Sequence, residues 1–340
     1  MDNSIIFSDA ADLVDKVELG ELKNKDILIV GGTGLIGTYF IYSIIEASKR
    51  GITPHKLSIT HLHSLPDFLE FVKDYAWIDL LNGDLTDDDF VKSLGKYDYI
   101  LHLAGYGQPA QFSLDPVKTI KLNTTLTISL LDKLKTGGKF LFASSSGIYN
   151  GLDKPSFSEN DVGTTNTLHP RACYYEGKKC GEVIVNSYKS QGVNARSVRL
   201  SYVYGPGVRK SDERALYSFI KKGINGKIEM LDDGSAQRIY CYVEDAVELM
   251  WKIFLCGDKE IYNVGGTEVT SIREIANIVG EMLGADVIIP KVNNSVAGNH
   301  TVERLDMTRT LGQFPMKFVD LRDGIERTVE WYGNNYREND

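Results

Sequence analysis

The sequence predicts a doubly wound, parallel α/β sheet carrying a smaller α/β substrate-binding lobe, on three observations. Short apolar strands alternate with helical segments from residue 26 to about 200, a glycine-rich turn joins the first strand to its helix, and the rhythm changes after residue 207. Residues 8–19 set Ala11, Leu13, Val14 and Val17 on one face behind a capping serine, which predicts a short helix within an extension over 1–24. Residues 26–30 form a compact apolar strand running into Gly31-Gly32-Thr33-Gly34-Leu35-Ile36-Gly37. A helix over 38–49 follows, with Phe40, Ile41, Ile44 and Ile45 inward and Gly51 beyond its end. Strands over 57–62, 77–81 and 99–104, a helix over about 116–135, a strand over 139–144, a helix over 174–190 and a strand over 195–200 continue the alternation. Helices over 214–222 and 268–283 then stand among loops and short strands. The expected division is a dinucleotide-binding domain over 25–200 and 236–265, with the lobe over 201–235 and 266–340.

The 340 residues, 42% hydrophobic and 25% charged, are those of an ordinary globular chain. A net charge of -8 and a pI near 5.4 argue against broad contact with nucleic acid or an anionic membrane, so the expected partner is a small molecule. Cys173, Cys180, Cys241 and Cys256 lack metal-type spacing, and the amino terminus lacks a basic-then-apolar leader. No apolar run has the length of a membrane span. The expectation is a cytoplasmic protein with reduced thiols and no metal.

The glycine turn carries the first chemical signal. Gly31, Gly34 and Gly37 let backbone approach a pyrophosphate closely, while the N-terminus of the following helix offers free N–H groups and a positive dipole. Strand, turn and helix together predict a dinucleotide site of the Rossmann type, with Gly31, Thr33, Gly34, Leu35, Ile36 and Gly37 against the cofactor. The second strand ends in Thr60, His61 and His63, with neither a carboxylate for the ribose of NAD nor an arginine cluster for the phosphate of NADP. That choice stays open. Asp84 and Leu85 follow the third strand, where a carboxylate is placed to accept a hydrogen bond from adenine.

Tyr174 and Lys178 lie four residues apart on a predicted helix, so they share a face. An ammonium beside a phenol favours phenolate, which suits Tyr174 to take a hydroxyl proton as hydride leaves for a nicotinamide. Tyr175 and Lys179 have the same spacing, and spacing alone leaves both pairs open. Ser144, Ser145 and Ser146 end the strand over 139–144, where a hydroxyl can meet a reacting sugar oxygen.

These motifs together resemble the extended short-chain dehydrogenase/reductase family, in its branch of nucleotide-sugar epimerases, dehydratases and decarboxylases. The resemblance spans about 25–333. It includes the glycine turn, Gly83-Asp84-Leu85, His102-Leu103-Ala104-Gly105, Asn123, Ser145, the run from Pro170 to Lys178, and Tyr204-Gly205-Pro206. The Pro170 to Lys178 run is most similar to UDP-glucuronate decarboxylases, and its register selects Tyr174 with Lys178. The resemblance implies Ser145, Tyr174 and Lys178 as catalytic residues. It adds Leu103, Ala104, Gly105 and Asn123, with Tyr174 and Lys178, to the cofactor site, and implies a nucleotide-diphosphate sugar as substrate and a homodimer as the assembly. Arg238 corresponds to an arginine that grips the substrate diphosphate, and Ser145, Ser146, Tyr202, Arg209 and Arg304 complete the expected substrate contacts.

Departures from the family narrow the reaction. dTDP-glucose dehydratases carry aspartate and glutamate where Ser146 and Gly147 stand, and decarboxylases carry glutamate at position 147. Epimerisation at C4 needs only the serine, tyrosine and lysine. The expectation is therefore an NAD(P)-dependent epimerase or related oxidoreductase. Decarboxylase or dehydratase chemistry through a relocated group, from Glu176, Tyr175, Tyr106 or Gln108, is the alternative. A sugar-nucleotide-binding protein without turnover is the alternative of another class.

Overall fold

The computed structural model describes residues 1–291 and 304–336. The strands are, in chain order, β1 (Asp26–Val30), β2 (Lys56–His61), β3 (Ile78–Asn82), β4 (Tyr97–His102), β5 (Leu134–Ser145), β6 (Asn194–Leu200), β7 (Tyr202–Tyr204), β8 (Lys227–Glu229), β9 (Gln237–Tyr242), β10 (Ile261–Val264), β11 (Val269–Ser271) and β12 (Asp286–Ile288). Seven of them form one parallel sheet in the order β10-β6-β5-β4-β1-β2-β3. Its central strands are apolar on both faces, as a sheet covered by helices on both sides requires: Ile27, Leu28, Ile29 and Val30 are all fully buried. The sheet order reverses between β1 and β4, and the crevice beyond the carboxyl ends at that reversal is where such a sheet receives ligands.

Outside that sheet stand a three-stranded sheet, β11-β9-β7, and a parallel pair, β12-β8; β9 joins β7 and β11 although it falls within the 236–265 expected in the dinucleotide-binding domain. Helices Ala215–Ile224 and Ile272–Leu283 pack against each other beside them. The expected lobe over 266–340 includes 292–303 and 337–340, which lie outside the described residues.

Several boundaries differ from expectation for local reasons. The first helix is Ser4–Lys16, because Ile6 adds a fully buried position ahead of Ala10, Leu13 and Val14. The helix expected over 116–135 is two, Pro116–Asn123 and Thr125–Leu131. Asn123 Nδ2 and the Thr124 and Thr127 hydroxyls return hydrogen bonds to carbonyls four residues earlier, which bends a helix. The stretch over 268–283 opens as strand β11 and turns helical only at Ile272, where Ser271 and Glu274 form a capping box.

Candidate active site

Helix Ala172–Ser190 carries Tyr174 and Lys178, and its seat on the sheet is set by Gly181. A Cβ there would stand 2.5 Å from the Phe142 ring and 2.8 Å from the Asn123 carbonyl, so the helix lies against β5 only because that side chain is missing. This brings the Lys178 Nζ to 2.6 Å from the Ala143 carbonyl, 4.9 Å from the Phe142 ring centre and 5.8 Å from that of Tyr174. Below, a buried network fixes the same helix. The Ser144 hydroxyl donates to Glu182 at 2.5 Å, Glu182 pairs with Arg199 at 2.8 Å, and Arg199 donates to the Tyr149 hydroxyl at 2.9 Å. Tyr149 in turn donates to Asn263 at 2.6 Å.

These elements border a cleft of about 410 Å³. The glycine turn forms one side, through Gly31, Thr33, Gly34, Leu35, Ile36 and Gly37. Ser145 and Ser146 from the end of β5, with Tyr174 and Lys178, form its floor. Leu103 and Gly105 follow β4, while Tyr202, Arg209, Asp212 and Arg214 come from the smaller lobe. The cleft thus brings six glycine-turn residues together with Ser145, Tyr174 and Lys178 and with residues beyond position 200. Tyr106, Gln108 and Tyr175 also line it. Glu176 does not, and its carboxylate pairs with Lys179 at 2.8 Å.

Other expected contacts lie elsewhere. Ala104 is buried behind the turn, and Leu85 packs at the edge of the adjoining core. Asp84 takes hydrogen bonds from Lys118 at 2.7 Å and from Thr86; burial pushes its carboxyl up, yet these bonds outweigh that and hold it at about 2. Arg238, on β9, stacks its guanidinium 5.7 Å from the Tyr202 ring centre, behind the cleft wall, because the lobe turns Tyr202 rather than Arg238 toward the cavity. Arg304 is exposed outside the cleft, its carbonyl accepting from the Phe157 N–H at 2.9 Å. Two neighbours escaped sequence reasoning. Phe112 stacks flat on Tyr174, ring centres 4.6 Å apart, from a helix of six residues too short to show a period. Asp212 faces Arg214 through bonds of 3.1 and 2.8 Å.

The electrostatics differ from a simple tyrosine-lysine couple. Enclosure pushes the Tyr174 phenol above its ordinary value, and hydrogen bonding with Ser145 pulls partway back. Burial lowers Lys178 to about 7 against the opposing charge of Glu182. His102, fully buried with Nε2 3.1 Å from the Leu122 carbonyl, is pushed down to about 3 by burial and by Lys178, so it stays neutral. In the free cleft Lys178 thus carries only part of its charge at neutral pH, and Tyr174 keeps its proton.

The turn fits a dinucleotide sterically. Gly31 has φ +83°, and a Cβ on it would lie 2.8 Å from Ala104; one on Gly37 would lie 2.6 Å from Gly32. Helix Leu35–Lys49 begins at Gly34 without a side-chain cap, leaving its first N–H groups toward the cleft. Buried Asn123 keeps its Oδ1 without a partner among the described residues, close to where Gly105 meets Lys178.

Residues 27–265 match the profile of the NAD dependent epimerase/dehydratase family. The chain belongs to that family. The family's members are enzymes using NAD, and in this chain the glycine turn lines the same cleft as Ser145, Tyr174 and Lys178. The chain is 27% identical over 327 residues to a Xenopus tropicalis protein named UDP-glucuronic acid decarboxylase 1, covering 92% of this chain and 73% of that one. Its fold is shared with an epimerase of Methanothermobacter thermautotrophicus, at a TM-score of 0.78 and 21% identity over 99% of this chain and 97% of that one. It is shared also with the UDP-glucose 4-epimerase of Thermotoga maritima, solved with UDP-glucose, at a TM-score of 0.77 and 23% identity over 91% and 98% of the two chains. Among the described residues, no helix is long and apolar enough to cross a membrane.

Proposed function

We propose that this family member is a nucleotide-sugar 4-epimerase, or a closely related oxidoreductase, acting by transient oxidation at sugar C4. The observation that carries the reading is the scarcity of carboxylates in the cleft. Among the described residues lining it, Asp212 is the only carboxylate, and Arg214 already holds it. Position 147 has no side chain at all. Eliminating water across C5 and C6 needs a further acid and base, whereas inversion at C4 needs one hydroxyl proton removed and later returned.

The residues divide that work. Ser145 orients the C4 hydroxyl, Tyr174 takes its proton and gives it back, and Lys178 supplies positive charge beside the phenolate. NAD, when bound on the glycine turn, supplies the hydride acceptor and donor. Arg209 lends its side of the cleft positive charge suited to a diphosphate, the Arg214 charge being met by Asp212.

Decarboxylation is the second reading, favoured by the UDP-glucuronic acid decarboxylases among the relatives. Incubation of the protein and NAD with UDP-, dTDP-, GDP- and CDP-sugars, followed by NMR, separates the readings. Inversion at C4 without net oxidation is expected. Carbon dioxide release or a 4-keto-6-deoxy product would overturn the epimerase reading, and tight binding without turnover would indicate a binding protein. A homodimer belongs to the same proposal. It is supported by Val117, Ile120 and Ile128, which lie exposed along one stripe of the paired helices 116–131, and by exposed Val183 on the helix packed beside them.

A further inference from the structure

The cleft wall beside Ser145 and Tyr174 is made by two residues without a part in the reaction above, Gly147 and Tyr175. A Cβ on Gly147 would stand 2.7 and 2.8 Å from Cε1 and Cδ1 of Tyr175, and 3.3 Å from the Ser145 Oγ. Ring carbons do not tolerate such approaches, so Tyr175 occupies the room that a side chain at 147 requires. The ring is well held. It is 9% exposed, meets the Tyr174 ring edge-on at 6.0 Å between centres, and lies 5.9 Å from the His169 ring. Its hydroxyl has no hydrogen-bond partner within the described residues, and the residue lines the cleft. A tyrosine packed for core stability alone normally hides its ring and pairs its hydroxyl. Here a fixed ring on the cleft wall ends in an unpaired polar group, which is how a recognition group is built.

We propose that Tyr175 is a specificity-determining residue of the sugar subsite: its ring walls the space beside the reacting carbon, and its hydroxyl hydrogen-bonds the sugar of a nucleoside diphosphate sugar. Gly147 is its steric partner, since only glycine leaves the ring where it is. The inference rests on the cleft being a nucleotide-sugar site and is independent of which step follows oxidation.

The test uses the NAD-loaded Tyr174→Phe protein, which binds without turning over, and calorimetry. Of UDP, dTDP, GDP and CDP, the diphosphate that binds most tightly is compared with its glucose derivative, and the ratio of the two affinities measures the sugar's contribution. Adding Tyr175→Phe is expected to reduce that ratio about three- to tenfold, the effect of one neutral hydrogen bond, with the Kd of the diphosphate alone unchanged. Gly147→Ala is expected to reduce it too, by displacing the ring, and to cost little more once Tyr175→Ala has removed that ring. A ratio untouched by Tyr175→Phe, or no gain from the sugar over the bare diphosphate before that change, overturns the assignment. Since the product assay is not involved, failure here and failure of the epimerase reading are separate results.

Discussion

Tyr174 is enclosed between the Phe112 ring, Tyr175 and Ser145, and enclosure works against the phenolate that the proposed reaction asks of it. The positive charge that offsets this comes from Lys178, itself held near 7. Tyr174→Phe is therefore expected to lower kcat by about 10²–10⁴-fold while leaving NAD affinity unchanged, as steady-state kinetics and cofactor titration would read. The kcat/KM profile should fall as pH rises through about 7, when Lys178 gives up its proton. Glu182→Gln removes the charge that favours the ammonium, so that limb should move to lower pH; an unmoved limb would mean that another group sets it. Lys178 also ties stability to pH. Its folded value lies below the ordinary 10.5, so between about 7 and 10.5 the unfolded chain binds more protons and its contribution to stability rises with pH. The rival pair was a matter of register that spacing left open, and the structure shows the difference in chemistry: Lys179 is spent on Glu176 and the Gly163 carbonyl, whereas Lys178 faces the cleft.

At the scale of elements, the reacting helix is locked to β6 by the buried Glu182–Arg199 pair. Arg199→Met leaves a buried carboxylate uncompensated and should cost about 3–5 kcal/mol, whereas Glu182→Met with Arg199→Met should cost much less, as urea unfolding would measure. Asp245 is a second sensitive joint. It lies in the first turn of helix Val243–Cys256, accepts the Val319 N–H at 3.0 Å, and keeps its other oxygen buried without a partner among the described residues. Burial pushes it up to about 7, against that N–H bond, so the folded chain binds more protons than the unfolded one between about 3.8 and 7, and stability falls as pH rises through that window. Asp245→Asn should raise the melting temperature at pH above 7, by about 1–3 kcal/mol in stability, and do little at pH below 4. Sequence periodicity found most of these helices and strands because burial on one face is a local pattern. It missed joints such as Arg199 to Tyr149, whose partners are 50 residues apart.

On the scale of the whole molecule, the N-terminal helix is part of the core. Asp9, 1% exposed, accepts from the hydroxyls of Tyr39 at 2.7 Å and Tyr242 at 2.6 Å and pairs with Arg327 at 2.9 Å. One carboxylate thus gathers the helix after the glycine turn, the end of β9 and the C-terminal helix Leu321–Tyr336. Asp9→Ala strands two buried hydroxyls and a guanidinium, and should cost about 2–4 kcal/mol, visible as a lower melting temperature with the cleft chemistry intact. Charged replacements at Val117 and Ile120 should convert the expected dimer to monomer in sedimentation without unfolding it.

The sequence by itself determined the alternating sheet and the glycine turn that opens its first helix, because turn chemistry and strand period act over a few neighbouring residues. Helical spacing left Tyr174 with Lys178 level with Tyr175 and Lys179, and the resemblance of the Pro170 to Lys178 run chose between them. Only the tertiary structure decided which way the more distant groups face. It set Arg238 behind Tyr202, kept Glu176 out of the cleft, and filled the place of a side chain at 147 with the Tyr175 ring. Each of those outcomes depends on the packing of elements far apart in the chain, and that packing leaves no periodic trace to read.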